Sequence, residues 1–273
     1  MAVYAISDIH GALDELKALL KKIHLSYTGE DTLYFLGDYG DWGKKSMETI
    51  LFIREMEDTY DFVHCLMGNH EQMFLHMIES GKKHASESEI ASNWLIDNRG
   101  QRTWDAYMEM DAGTQHDLAS WLHSLPLSAS IRCGDRVYML GHAYPYFYDQ
   151  ASTFEEAEGN RFQALWRRLE LHEDPFAAYH GQISYDCFVC GHTIADVYAR
   201  RLAEEQGTTV RGSMNRIFFG ERFIDIDCGA KCFDLMEEKP AAAARSCLAA
   251  LRLDDLAETY VVPAGREEPG EQP

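Results

Sequence analysis

Leu33-Tyr34-Phe35-Leu36-Gly37-Asp38-Tyr39-Gly40-Asp41 is the stretch whose reading decides the fold. Four apolar residues running into Gly-Asp read as a buried strand that stops at a carboxylate-bearing turn, and Met47 to Met56 then follows as a helix. The same unit lies on either side. Upstream, residues 2 to 6 form a short apolar run, Asp8-Ile9-His10-Gly11 makes the turn, and Leu13, Leu16, Leu19, Leu20 and Ile23 recur at helical spacing. Downstream, Phe62 to Met67 reads as a strand ending in Gly68-Asn69-His70-Glu71, with a helix from about Glu71. Strand, polar turn and helix three times over predict a parallel sheet with crossover helices, whose carboxyl ends bring the turns into one crevice.

Two further blocks, Gly141-His142 and Gly191-His192-Thr193, carry the same ligand types. Carboxylate, imidazole and amide donors without thiolates suit hard to borderline divalent ions, the ions that phosphate ester hydrolysis uses. A pair of such ions about 3.5 to 4 Å apart needs a bridging carboxylate. Asp38 fits, because it ends a central strand between the turns bearing Asp8 and Asn69. A lone Asp-x-His or Gly-His is uninformative; five blocks in order, three at strand ends, are not.

Farther out, Ser86 to about Leu125 is helical by periodicity, with Trp94, Trp104 and Trp121 as core anchors, and reads as a helical insertion (about 84–125). After Pro126 the chain turns to strands: Leu127 to Arg132, Arg136 to Leu140, Asp186 to Cys190, Arg216 to Phe219, Phe223 to Asp227, Ala249 to Leu253 and Thr259 to Val262. Ala143 to Ser184 is acidic and aromatic, with a helix expected near Ala164 to Leu171 at the rim of the site. Residues 1–262 then form one domain, and Pro263 to Pro273, polar and rich in Pro and Gly, a disordered tail.

The whole chain bounds the rest. At 273 residues and 46% hydrophobic it can bury a sizeable core. No stretch reaches the roughly 18 to 20 consecutive apolar residues of a membrane span, and no basic region precedes an apolar run at the N-terminus. A cytoplasmic protein without a membrane partner is the expectation. Seven cysteines in such a chain are expected to be reduced. Cys187-Phe188-Val189-Cys190 has redox spacing but lies in an apolar run that reads as a strand, and Cys228 and Cys232 lack the spacing of a zinc ribbon. Lys plus Arg 25 against Asp plus Glu 45 gives −20, which repels long nucleic acid.

The blocks Asp8-Ile9-His10-Gly11, Gly37-Asp38-Tyr39-Gly40-Asp41 and Gly68-Asn69-His70-Glu71, followed by His142 and His192, resemble the calcineurin-like metallophosphoesterase superfamily. Their form looks like its phosphoprotein-phosphatase branch, and Trp94 to Thr103 with Leu122 to Pro126 resembles the bacterial and phage members, related to diadenosine tetraphosphatases. The resemblance implies an α/β fold, a four-layer β-sandwich flanked by helices. It implies two divalent metal ions, manganese or else iron, zinc, nickel or cobalt. Asp8 and His10 match the first metal's ligands, Asp38 the bridge, and Asn69, His142 and His192 the second metal's. His70 matches the general acid, and Asp41 the carboxylate that orients it. The closing Ile224-Asp225-Ile226-Asp227-Cys228-Gly229 is similar to the family's last strand and turn.

One departure is plain: the family writes Gly-Asp-x-x-Asp-Arg-Gly, and this chain has Trp42 where that Arg grips phosphate. Arg168, two residues after Trp166, matches a second phosphate-contacting Arg, with Arg167 the alternate. Trp42 either packs at the rim or stacks on a nucleobase or aromatic leaving group. The resulting expectation is a phosphatase that hydrolyses phosphomonoesters by metal hydroxide attack, its substrate a phosphorylated protein (serine, threonine or tyrosine) or a small phosphate ester. The alternatives are a dinucleoside polyphosphate hydrolase, and a regulatory or binding protein whose activity Trp42 has reduced.

Overall fold

The computed structural model describes residues 2–85, 93–147, 154–210 and 214–266. The three expected units are present as β1 (Val3–Ile6), α1 (Leu13–Lys22), β2 (Thr32–Phe35), α2 (Ser46–Thr59), β3 (Val63–Cys65) and α3 (Asn69–Ala85). A π-helical turn (Asn93–Asp97), α4 (Gln101–Met108) and α5 (Ala112–Ser124) follow, and they place Trp94, Trp104 and Trp121 in the core beside α2 and α3. Residues 86–92 of the expected insertion lie outside the described residues.

The remaining elements are β4 (Ser128–Cys133), β5 (Arg136–Gly141), α6 (Phe154–Trp166), β6 (Cys187–Cys190), α7 (Asp196–Glu205), β7 (Phe218–Phe219), β8 (Phe223–Asp225), a 3-10 turn (Ala230–Cys232), α8 (Pro240–Arg245), β9 (Leu248–Arg252) and β10 (Ala257–Val261). They close two five-stranded sheets, ordered β10-β9-β1-β2-β3 and β4-β5-β6-β8-β7. Strands β1, β2 and β3 are parallel to one another, as are β5, β6 and β8. The last two strands do not join the second sheet: β9 returns to pair antiparallel with β1.

Alternation along the strands sorts the side chains into layers. Val3, Ala5, Tyr34 and Leu36 meet Tyr138, Leu140, Val189 and Ile224 between the sheets. Tyr4, Ile6, Leu33 and Phe35 face the other way, against the leucines of α1 and the apolar sides of α2 and α3. On the far side of the second sheet, Met139, Phe188 and Phe223 pack with Tyr198 of α7. The fold is therefore helix, sheet, sheet, helix, the four-layer α/β arrangement that the family resemblance implies.

The expected helix near Ala164 to Leu171 lies earlier, ending at Trp166. Leu169 and Leu171 are both buried in the core beneath the second sheet, an alternation of two that a helix cannot supply. The strand expected at Arg216 to Phe219 shortens to its last two residues. All seven cysteines are free, and Cys187 to Cys190 is strand β6. Of the expected tail, Arg266 donates from Nη1 to Ser246 O at 3.2 Å; residues 267–273 lie outside the described residues.

Candidate metal centre

The polar turns leave the carboxyl ends of parallel strands and converge. Asp8 and His10 follow β1, Asp38 and Asp41 follow β2, Asn69 and His70 open α3, His142 follows β5 and His192 follows β6. Several of these turns are left-handed: φ is 52° at Asp8, 47° at His10, 57° at Asp38, 66° at Asp41 and 69° at His192. An L-residue held there costs about 1–3 kcal/mol, so the surroundings must enforce it. Glycine makes the close approach feasible: a Cβ on Gly191 would strike Asp8 Oδ2 and Ser7 Oγ, and one on Gly68 would strike Asp38.

Asp38, buried to 2% exposure, divides its two carboxylate oxygens. Oδ2 lies 3.5 Å from His10 Nε2, while Oδ1 lies 3.4 Å from His142 Nε2. On the Oδ1 side His142 Nε2 is 2.8 Å from Asn69 Oδ1 and 3.2 Å from His192 Nδ1, which is itself 3.0 Å from that Asn69 oxygen. His142 Nδ1 faces Leu36 O at 3.0 Å and His10 Nδ1 faces Gly40 O at 3.1 Å. Those carbonyls take the Nδ1 protons and leave each Nε2 with a lone pair aimed inward.

Lone pairs crowded together without a proton between them repel, and a cation resolves the repulsion. Asp8 makes the same point from the other side. Its Oδ2 accepts from Ser7 Oγ and His192 N, but Oδ1, 3.8 Å from His10 Nε2, is buried with no hydrogen-bond partner among the described residues. Burial raises the Asp8 carboxyl above its ordinary range, while it drives His10 and His192 well below theirs. Neutral imidazoles and an unsatisfied carboxylate are what a divalent ion requires. Burial alone would raise Asp38, but the surrounding histidines, His142 first, outweigh it and hold that carboxyl below the usual range. Two sets of ligand atoms have the mutual spacing to hold an ion: His10, Asp38 and His70, and Asp38, His142 and His192.

His70 is the ambiguous member of the first set. Its Nδ1 is 2.6 Å from Asp41 Oδ2, and its Nε2 is 3.8 Å from Asp38 Oδ2. Burial disfavours its charge, yet Asp38 and the hydrogen bond to Asp41 prevail and push it up to about 9. A protonated imidazole has no lone pair for a metal, so Asp8, with its orphan oxygen, fits the first set better. Asp41 is held in turn by Trp94 Nε1, which donates to Oδ2 at 2.5 Å, and by the Thr103 hydroxyl, which donates to Oδ1.

Arg168 Nη1 donates to His192 O at 3.0 Å and to Thr193 Oγ1 at 2.8 Å, beside the cluster. Arg167 instead pairs with Glu173 and stacks on Tyr144. Trp42 directly follows Asp41, and one ring face carries the Arg99 guanidinium at 5.3 Å. Three features escaped the sequence. Glu71 accepts from Asp38 N at 2.8 Å, Tyr39 N at 2.9 Å and Gly68 N at 3.0 Å, tying two of the turns together; its place in Gly-Asn-His-Glu was the available signal. Trp94 and Thr103 read as an anchor and a helix residue. Lys231 lines a cavity with His10 and lowers the proton affinity of both His10 and His192, and nothing in its sequence context marks it.

Comparison with known proteins meets this geometry. A family model described as calcineurin-like phosphoesterase matches residues 1–210. A symmetrical bis(5'-nucleosyl)-tetraphosphatase of Vibrio parahaemolyticus is 32% identical over 129 residues, 47% of this chain and 41% of that protein. Its namesake from Neisseria meningitidis is 44% identical over 81 residues, 30% of this chain and 27% of that protein. The chain thus spans less than half the length of these curated relatives. Among solved structures, a protein serine/threonine phosphatase from Saccharomyces cerevisiae superposes with a TM-score of 0.56 at 14% identity, covering 99% of this chain and 82% of that one. A metallophosphoesterase from Sphaerobacter thermophilus gives 0.51 at 17% identity, covering 95% and 87%. At such identities the likeness is one of fold.

Proposed function

The chain belongs to the calcineurin-like phosphoesterase family, and on that premise we propose that it hydrolyses phosphoric esters as a dinuclear-metal phosphatase acting on phosphomonoesters. The division of Asp38 between two donor sets supports the two-ion reading. Asp8, His10 and Asp38 would hold one ion and Asp38, Asn69, His142 and His192 the other, manganese being the first choice and iron, zinc, nickel or cobalt the alternatives. Such a pair supplies Lewis-acid activation of the attacking water and of the phosphoryl oxygens.

The chain's own residues do the rest. His70, protonated and turned by Asp41, presents Nε2–H towards Asp38. As water attacks phosphorus and the ester P–O bond breaks, that proton passes to the departing oxygen. Arg168 binds a non-bridging phosphate oxygen through the part of its fork not committed to Thr193. The His70–Asp41 pair carries the choice of substrate. An acid of this kind matters most when the leaving oxygen is an alkoxide, as in phosphoserine or phosphothreonine, whereas a nucleotide leaving from a polyphosphate needs it least.

A second reading is favoured by the names of the curated relatives: symmetrical hydrolysis of dinucleoside tetraphosphates. Parallel kcat/KM measurements on a phosphoserine peptide and on diadenosine tetraphosphate, with manganese, decide between them. The peptide is expected to be preferred; a reversed ratio moves the assignment to the second reading. Activity surviving exhaustive chelation would sink the two-metal mechanism.

A further inference from the structure

Position 42 follows the turn that carries Asp38 and Asp41, yet an indole offers neither positive charge nor a paired donor. Its Nε1 is buried with no partner among the described residues. The cation at this place comes from elsewhere in the chain: Arg99 lays its guanidinium over the Trp42 ring, 5.3 Å from the centroid. We propose that Arg99 is a second phosphate-gripping residue of this site beside Arg168, presented on Trp42 as on a platform. The proposal rests on the phosphoesterase reading above.

Four observations carry it. Arg99 sits at φ 56°, a conformation that disfavours any side chain and that glycine would adopt freely. Its segment is anchored to the site on both sides, through Trp94 Nε1 to Asp41 Oδ2 and through Thr103 to Asp41 Oδ1, and Arg102 Nη1 reaches Gly43 O at 3.2 Å. No Cβ fits on Gly100 against the Trp94 ring, so the loop cannot slide past this position. Among the described residues, the guanidinium of Arg99 also pairs with Glu238, a carboxylate 56% exposed. An ion pair so open to water is weak, and a phosphate dianion beside divalent ions can displace it. Arg is suited to the task because its planar face rests on the indole while its edge donates.

Calorimetric binding of inorganic phosphate to the metal-loaded protein tests this, with p-nitrophenyl phosphate kinetics, metal content and Tm measured alongside. Arg99→Gly is expected to weaken phosphate binding roughly tenfold to a hundredfold and to raise KM more than it lowers kcat. Its Tm should stay close to wild type, because relief of the left-handed strain offsets the lost surface contacts. Arg99→Lys keeps the charge without the fork and should fall between. Adding Trp42→Arg to Arg99→Gly should recover most of the lost affinity. Unchanged phosphate affinity in Arg99→Gly overturns the proposal, and so does a loss that follows metal content or Tm and that Trp42→Arg fails to restore. A wild-type protein that binds phosphate without hydrolysing esters defeats the proposed function alone, and Arg99 is then judged by the phosphate affinities.

Discussion

At the scale of single residues, His70, in the acid role proposed for it, would set the pH range over which the site can work. Its ordinary value is near 6.5, and Asp38 with Asp41 holds it at about 9. The acid must be protonated, so turnover of alkyl phosphates should be maintained below that value and fall as the pH rises through it. Divalent ions bound alongside pull the proton off more easily, placing the descending limb at or below 9. Asp41→Asn removes the raising contact and should move the limb to lower pH in a kcat profile; an unmoved limb would remove Asp41 from its orienting role. His70→Asn should lower kcat on phosphoserine by a factor on the order of 10² to 10⁴. The loss on p-nitrophenyl phosphate, whose leaving oxygen departs without much protonation, should be smaller. Equal losses on both esters would exclude His70 as the acid.

At the scale of elements, the site is a set of strand ends kept in register by side chains that touch no reacting atom. Glu71, from the first turn of α3, gathers the amides of Asp38, Tyr39 and Gly68. Glu71→Leu strands those three buried donors, and each orphaned group costs about 1–3 kcal/mol. Chemical denaturation should therefore show a loss of several kcal/mol, with metal content falling too. Trp94→Phe is gentler: it keeps the ring in the core and deletes one donor to Asp41. It should cost about 1–3 kcal/mol of stability and depress kcat on phosphoserine more than on p-nitrophenyl phosphate, as a disoriented acid would. The pattern of what the sequence reveals follows the same division. Asp8, His10, Asp38, Asn69, His142 and His192 were legible because each stands at a junction between an apolar run and a glycine-rich turn, a local signal. The return of β9 to β1 was not, since pairing Tyr4 with Arg252 depends on both sheets being folded. Nor was the tie from Trp94 to Asp41, 53 residues away, for an indole N–H leaves no mark in periodicity. The misplaced helix near Trp166 has a simpler cause: Leu165, Leu169 and Leu171 mimic helical spacing while serving two different cores.

At the scale of the whole molecule, buried carboxylates are a debt settled by cations. Besides Asp8, Asp225 and Asp227 are each fully buried with an oxygen that has no partner among the described residues, and burial pushes Asp227 up to about 8. Saturating manganese is expected to raise Tm. At a hundred times Kd, ligand linkage adds about 2.7 kcal/mol, or roughly 5–10 °C in a chain of this size. Differential scanning fluorimetry with and without chelator measures the shift, and an indifferent Tm would mean that no ion binds the folded state.

The left-handed turns and their ligands come from both sheets: Asp8, His10, Asp38 and Asn69 hang from the first, His142 and His192 from the second. An ion shared among them is thus a reversible crosslink. The ion proposed between Asp38, Asn69, His142 and His192 would join Asp38 to His192, 154 positions apart, in the way a disulfide closes a long loop, yet it could be withdrawn by a chelator. Prising the two halves of the sandwich apart then means extracting the ion. Backbone amides along the seam between the sheets should exchange with deuterium more slowly when the ions are bound, including strand positions that no ion touches.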